Sequence, residues 1–254
     1  MIAFFDFCRL MLLSNKSALV TGAAERLGAQ IARTLHQNGA NLIIHYRSSA
    51  TAAQTLAAEL NQQRENSALA MSADLSSQQE LDKLAAAACA AFDGLDLLIN
   101  NASSFYPTKF GEIDQQQWDD LIASNYRAPL FLSQACYPAL KTSTGCIINL
   151  VDIYASIPLN QHSVYCSAKA ANQMLVKSLA LELAPKVRVN GIAPGAILWP
   201  DSGESADYQQ SVIDQVPLQR CGTPQDIADT VLFLATSDYI SGEIIRVDGG
   251  RSLR

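Results

Sequence analysis

Short apolar runs alternate with longer stretches in which apolar residues recur at helical spacing, and that alternation predicts most of the elements. Ser17–Val20, Asn41–Tyr46, Ala68–Ser72, Leu95–Ile99, Cys146–Leu150, Val187–Ile192 and Ile244–Val247 read as seven strands. Between them, Leu27–Asn38 is a helical pattern stopped by Gly39. Ser76 with Gln79 forms a capping box for a helix running toward Phe92. Asp114 with Gln117 opens a long helix to about Leu140, bent by Pro129, and Val164–Leu183 is a further helix that ends before Pro185. Thr223-Pro224 starts the last helix, which runs to Thr236. The stretch 196–216 is polar with little periodicity and reads as a loop closing over substrate, with Leu198 and Trp199 as apolar wall candidates.

Strands that are apolar throughout need cover on both faces. The expected class is therefore α/β: a doubly wound, parallel, seven-stranded sheet with helices on both faces. Such a sheet binds ligands outside the carboxyl ends of its strands. No linker, charge block or repeat divides the chain, so residues 16–254 are expected to form a single domain behind an N-terminal extension, 1–15.

Composition narrows the function classes. With 49% hydrophobic and 17% charged residues, the chain has ample material for a core and is not of disordered type. A net charge of −6 without a basic stripe argues against a nucleic-acid partner. The six cysteines are scattered, with no C-x-x-C pair and no cluster with histidine. They read as thiols in a reducing cytoplasm, and no metal site is expected. Met1–Leu13 is interrupted by Asp6 and Arg9 and lacks a signal-peptide pattern, and it is too short to span a bilayer. No membrane association is expected.

The first strand is followed by Thr21-Gly22-Ala23-Ala24-Glu25-Arg26-Leu27-Gly28. A strand, a glycine turn and a helix start bring backbone N–H groups close to a pyrophosphate. The pattern departs from G-x-G-x-x-G: Gly22 and Gly28 remain, and Arg26 stands between them with a guanidinium for phosphate or substrate. NAD-preferring sites carry a carboxylate at the end of the second strand. Here that place reads His45-Tyr46-Arg47-Ser48-Ser49, which suits a 2′-phosphate, so NADPH (NADP+) is the expected cofactor. Asp74-Leu75 and Asn101-Ala102-Ser103, at the next strand ends, complete a groove, although each alone could be an ordinary turn.

Tyr165 and Lys169 are four apart and share a helix face. A neighbouring ammonium is expected to lower the phenol's pKa, and Lys169 could also hold ribose hydroxyls. Asp152, at the end of the fifth strand, points into the same pocket; crowding should raise its pKa so that it donates a proton. Alternatively, it could merely cap a loop.

In their order, T-G-x-x-x-[GR]-x-G, N-N-A, Ser124-Asn125, Y-x-x-x-K, Pro194-Gly195 and Val247-Asp248-Gly249-Gly250 resemble the short-chain dehydrogenase/reductase family. That resemblance implies a Rossmann fold, hydride transfer from nicotinamide, a homotetramer, and Asn125 supporting a water beside Lys169. It also implies that Pro194 and Gly195 line the cofactor. Asp152, Arg26, Ser103, the run Ala102–Thr108 and the end Asp248–Leu253 are similar to the pteridine reductase branch. On that likeness Phe105 would stack a pterin, Ser103 and Arg26 would bind pterin and phosphates, and Asp152 with Tyr165 would deliver protons. The runner-up is a carbonyl reductase of the 3-oxoacyl thioester type; a dinucleotide-sensing protein is the non-enzyme alternative.

Overall fold

A computed structural model describes residues 12–198 and 205–254. Its sheet contains β1 (Ser17–Val20), β2 (Asn41–Tyr46), β3 (Ala68–Ser72), β4 (Leu97–Asn100), β5 (Cys146–Leu150), β6 (Arg188–Pro194) and β7 (Ile244–Val247). All are parallel, in the order β3-β2-β1-β4-β5-β6-β7. The chain starts at the centre, winds outward to β3, then returns to β4 and winds the other way. The reversal lies between β1 and β4, where a crevice opens at the carboxyl ends.

Strand side chains alternate in direction, so each continuous apolar run supplies two cores. Ala18, Val20, Leu42, Ile44, Leu97 and Ile99 face one core. They pack there against α1 (Arg26–Gln37), α2 (Ala50–Gln63) and α8 (Pro224–Thr236). Leu19, Ile43, Leu98 and Ile147 face the other. Their partners include α3 (Gln78–Ala90), α5 (Ala128–Ser143) and Val176 of α6 (Ser163–Glu182). Leu19 and Ile99 are fully buried, and truncating either to Ala would cost roughly 2–5 kcal/mol through lost transfer energy and the cavity left.

Several boundaries differ from the sequence reading, each for a local reason. The helix at 50–63 escapes periodicity because it is alanine-rich and buries only Ala53, Leu56, Ala57 and Leu60. The cap of α3 is Ser77, which accepts from Glu80 N–H, whereas Ser76 turns back to donate to Asp74. Asp114 and Gln117 do form a capping box, but the helix they open, α4 (Gln115–Ile122), gives way to a π-helical turn at Ala123–Arg127 before α5 begins. Pro129 is the second residue of α5, directly after the π-helical turn. Residues 205–213 are not loop: Ser205 caps α7 (Ala206–Ile213) by accepting from Tyr208 N–H. Thr223 and Asp226 form a reciprocal box at the start of α8. Among the described residues, no helix is long and apolar enough to cross a membrane.

Candidate active site

The glycine turn after β1 shapes one end of the crevice. Gly22 takes φ +60°, which favours a residue without Cβ, and a Cβ on Gly28 would lie 2.2 Å from the Gly22 carbonyl oxygen. That close approach sets α1 with its N-terminus against the turn. Arg26, the first residue of α1, also has a positive φ of 53°. A non-glycine residue in this conformation stores strain, and such strain gathers at ligand sites. Thr21 and Asn101 lock β1 to β4: the Thr21 hydroxyl accepts from Asn101 and Ala102 N–H at 2.9 Å, and Asn101 Nδ2 donates to Thr21 O at 2.9 Å.

A cleft of about 460 Å³ follows, lined by Gly22, Arg26, Leu27, Gly28, His45, Tyr46, Arg47, Ser48, Ser49, Asp74, Leu75, Asn101, Ala102 and Ser103. Glu25, Ser76, Asp120 and Ser124 line it as well, and the sequence reading gave none of them a place in the cleft. Glu25 accepts from the Ser49 hydroxyl at 3.0 Å, so Ser49 is engaged within the protein. Arg47 and Ser48 are exposed. His45 lines the cleft yet is 2% exposed, its ring bonded to Gly22 N–H and Ala73 carbonyl. Asp74 lies below the usual carboxylate range, chiefly because the Ser76 hydroxyl and N–H donate to it. The glycine cradle, the helix start and the Arg47 side of the cleft fit a dinucleotide.

The second part of the site lies beyond β5 and along α6. Asp152 uses both oxygens. Oδ1 accepts from Tyr154 N–H at 2.9 Å, capping the single 3-10 turn Ile153–Ala155, and Oδ2 accepts from the Tyr165 hydroxyl at 2.7 Å. The residue that caps the loop is thus also the one that meets the Tyr165 hydroxyl. Burial pushes the Asp152 carboxyl up against opposing pulls from Tyr154, Tyr165, Lys169 and Arg251. Tyr165 differs from expectation: it is driven well above its ordinary value by burial and by the Asp152 charge, against a smaller downward pull from Ser103. Lys169 is itself brought down to about 8 by burial, which the Asp152 charge only partly opposes. Its Nζ lies 5.7 Å from the Tyr165 ring centroid and donates to the Leu150 carbonyl at 2.8 Å.

Asn125 occupies the π-helical turn and is fully buried. Its side chain accepts from the Ser103 hydroxyl at 2.6 Å and donates to Ser104 O at 2.8 Å. Its main-chain carbonyl accepts from Asn172 Nδ2 at 2.9 Å. Asn172 in turn accepts from Asn149, and Asn149 from Asn100, at 2.7 and 2.8 Å. This buried amide relay fixes α6 to two strands; Asn100 belongs to the N-N-A motif, but Asn149 and Asn172 were missed in the sequence, because isolated asparagines carry no spacing signal.

Phe105 is 51% exposed and stands edge-on to Tyr165, ring centroids 4.8 Å apart at 76°. His162, also missed, stacks on Phe105 at 4.7 Å and 16°. Arg251 reaches this end of the site within its own chain, its guanidinium 5.7 Å from the Tyr154 ring centroid. Pro194 and Gly195 lie at the end of β6 outside the cleft; a Cβ on Gly195 would meet Asp248 Cβ at 2.6 Å. Leu198 is exposed, and Trp199 lies outside the described residues. No cluster of metal ligands occurs among the described residues.

Residues 10–252 match a family model described as enoyl-(acyl carrier protein) reductase. The chain is 39% identical to pteridine reductase 1 of Leishmania tarentolae, covering 93% of this chain and 96% of that one. It is 34% identical to a 3-oxoacyl-[acyl-carrier-protein] reductase of Staphylococcus epidermidis, over 93% of this chain and 98% of the relative. Among solved structures, a 7α-hydroxysteroid dehydrogenase complexed with NADH and 7-oxo glycochenodeoxycholic acid superposes with a TM-score of 0.89. That pair shares 33% identity, over 95% of this chain and 96% of the other.

Proposed function

Because the chain belongs to the short-chain dehydrogenase/reductase family, and so is a nicotinamide-dependent oxidoreductase, we propose that it reduces pteridines with NADPH. The substrate would be a 7,8-dihydropterin or dihydrofolate, taken to the tetrahydro form. One observation carries this reading: a partly buried carboxyl, Asp152, is hydrogen-bonded at 2.7 Å to the Tyr165 hydroxyl. Reducing a ketone needs one proton at oxygen, and a phenol can supply it. Reducing a pterin C=N bond needs a proton at ring nitrogen, and a carboxylic acid with a raised pKa is suited to give it.

Bound nicotinamide supplies the hydride. Asp152 and Tyr165 hold the proton between them, because burial disfavours the charged form of both. Lys169, anchored to the end of β5, places a positive charge behind the Tyr165 ring. Phe105 offers its half-exposed ring beside Tyr165 as an apolar face for a flat heterocycle. Arg47 and Ser48 at the end of β2 would receive a 2′-phosphate, and Gly22, Gly28 and the start of α1 the pyrophosphate. The likeness to pteridine reductase 1 supports the substrate.

The relatives also name the competitor, since 3-oxoacyl-carrier-protein reductases are similar over the same span. Initial rates of NADPH oxidation should therefore be compared for 7,8-dihydropterins, dihydrofolate and an acetoacetyl thioester. Faster turnover of the pteridines is expected, and the reverse order would overturn the assignment.

A further inference from the structure

His45 joins the two walls of the nucleotide cleft. Its Nδ1 accepts from Gly22 N–H at 3.1 Å, and its Nε2 lies 3.0 Å from the Ala73 carbonyl oxygen. A carbonyl only accepts, so Nε2 carries the proton; an amide only donates, so Nδ1 carries none. The two bonds together are compatible only with the neutral ring in its Nε2–H form. His45 also accepts, through its main-chain carbonyl, from Ala23 N–H at 2.8 Å. One residue therefore ties the glycine turn after β1 to the segment Ala73–Leu75 after β3, and both line the cleft.

We propose that His45 is a positioning residue for the dinucleotide, and that its neutral ring is a condition for tight binding of any dinucleotide, with or without a 2′-phosphate. Protonation would place an N–H at Nδ1 against the Gly22 N–H. The turn would then have to rotate away from the ring and lose the shape that faces the pyrophosphate. Burial favours the neutral form and holds the imidazole below its ordinary pKa, against the Ala73 bond and the Asp74 charge, which both favour protonation. Asp74 approaches from the β3 side; Glu25 and Arg26 from the turn, and Arg47 from beyond β2, line the same cleft.

This inference rests on reading the cleft as a dinucleotide site, and calorimetric titration with NAD+ and NADP+ separates the two. The oxidised forms survive acid, and NAD+ lacks a phosphate whose own ionisation near pH ~6 would confuse the profile. If neither nucleotide binds at neutral pH, the dinucleotide reading and this inference both fall. If they bind, both dissociation constants should rise as the pH is lowered, by roughly tenfold per pH unit once His45 titrates. His45→Gln, whose amide can accept from Gly22 and donate to Ala73 without titrating, should keep neutral-pH affinity and lose the acid dependence for NAD+. His45→Leu should bind weakly at every pH. A flat NAD+ profile in the unaltered protein, or an acid dependence unchanged in His45→Gln, would overturn the proposal. The unaltered protein alone decides this if a variant fails to fold.

Discussion

The Tyr165 hydroxyl donates to Asp152 at 2.7 Å, across thirteen residues of sequence and from α6 to the end of β5. Tyr165 is buried and Asp152 partly buried, and the coupling is one-sided: the Asp152 charge makes Tyr165 harder to ionise, whereas the Tyr165 hydroxyl favours the Asp152 carboxylate. Tyr165 rises because it is buried and because a phenolate would face a carboxylate; Asp152 rises because burial outweighs the hydrogen bonds it receives. Groups whose ionisation is shifted together by burial and by a specific charged neighbour are candidates for proton transfer.

Replacing Asp152 by Ser tests the acid separately from the cap, because serine is also a good capping residue for the turn at 153–155. Turnover of a dihydropterin should fall by about 10²-fold or more, the usual share of a general acid. Cofactor affinity should be unchanged. Measured kcat equal to that of the unaltered enzyme would make the carboxyl purely structural.

Lys169 provides a pH prediction with a defined sign. Its pKa is about 8 in the folded protein against an ordinary 10.5. Between those values the unfolded chain binds more protons, so the native state gains stability as pH rises from about 8 to 10.5. Below that window the buried charge is a constant penalty. The melting temperature of the cofactor-free protein, relative to that of Lys169→Met, should therefore climb over that interval. A difference independent of pH would contradict the buried ammonium. If the charged form is needed in catalysis, kcat/KM for NADPH should also decline above about pH 8.

Arg47 is exposed at the end of β2, in a segment whose own residues include no carboxylate. Arg47→Asp should weaken NADP+ by roughly 10- to 100-fold, the worth of a charge-assisted hydrogen bond, while NAD+ binding changes little. Equal loss for both, read by titration, would remove the 2′-phosphate role.

Phe105 is half exposed and packs on His162 and Tyr165. Phe105→Ala should cost about 1–3 kcal/mol of stability, the scale of two aromatic pairs. KM for the pterin should nevertheless rise severalfold while KM for NADPH stays put. A matching rise in both would place Phe105 in the general architecture rather than at the substrate.

By itself the sequence determined the repeating strand and helix plan, because burial on two faces demands apolar runs and one-sided helices. It also brought forward Tyr165, Lys169 and Asp152 as candidates, because they stand at short spacings set by one helix and the loop before it. Helix α2 and the division of α4 from α5 were less legible, since an alanine-rich helix carries little periodicity and a π-helical turn has no residue signature. Only the tertiary structure decided the rest. It turned the Tyr165 pKa upward through burial, tied Asn125 to Asn172, stacked His162 on Phe105 and set His45 between two walls of the cleft. Those relationships join residues from different elements, and their energies depend on desolvation and hydrogen-bond direction, which exist only once the chain has packed.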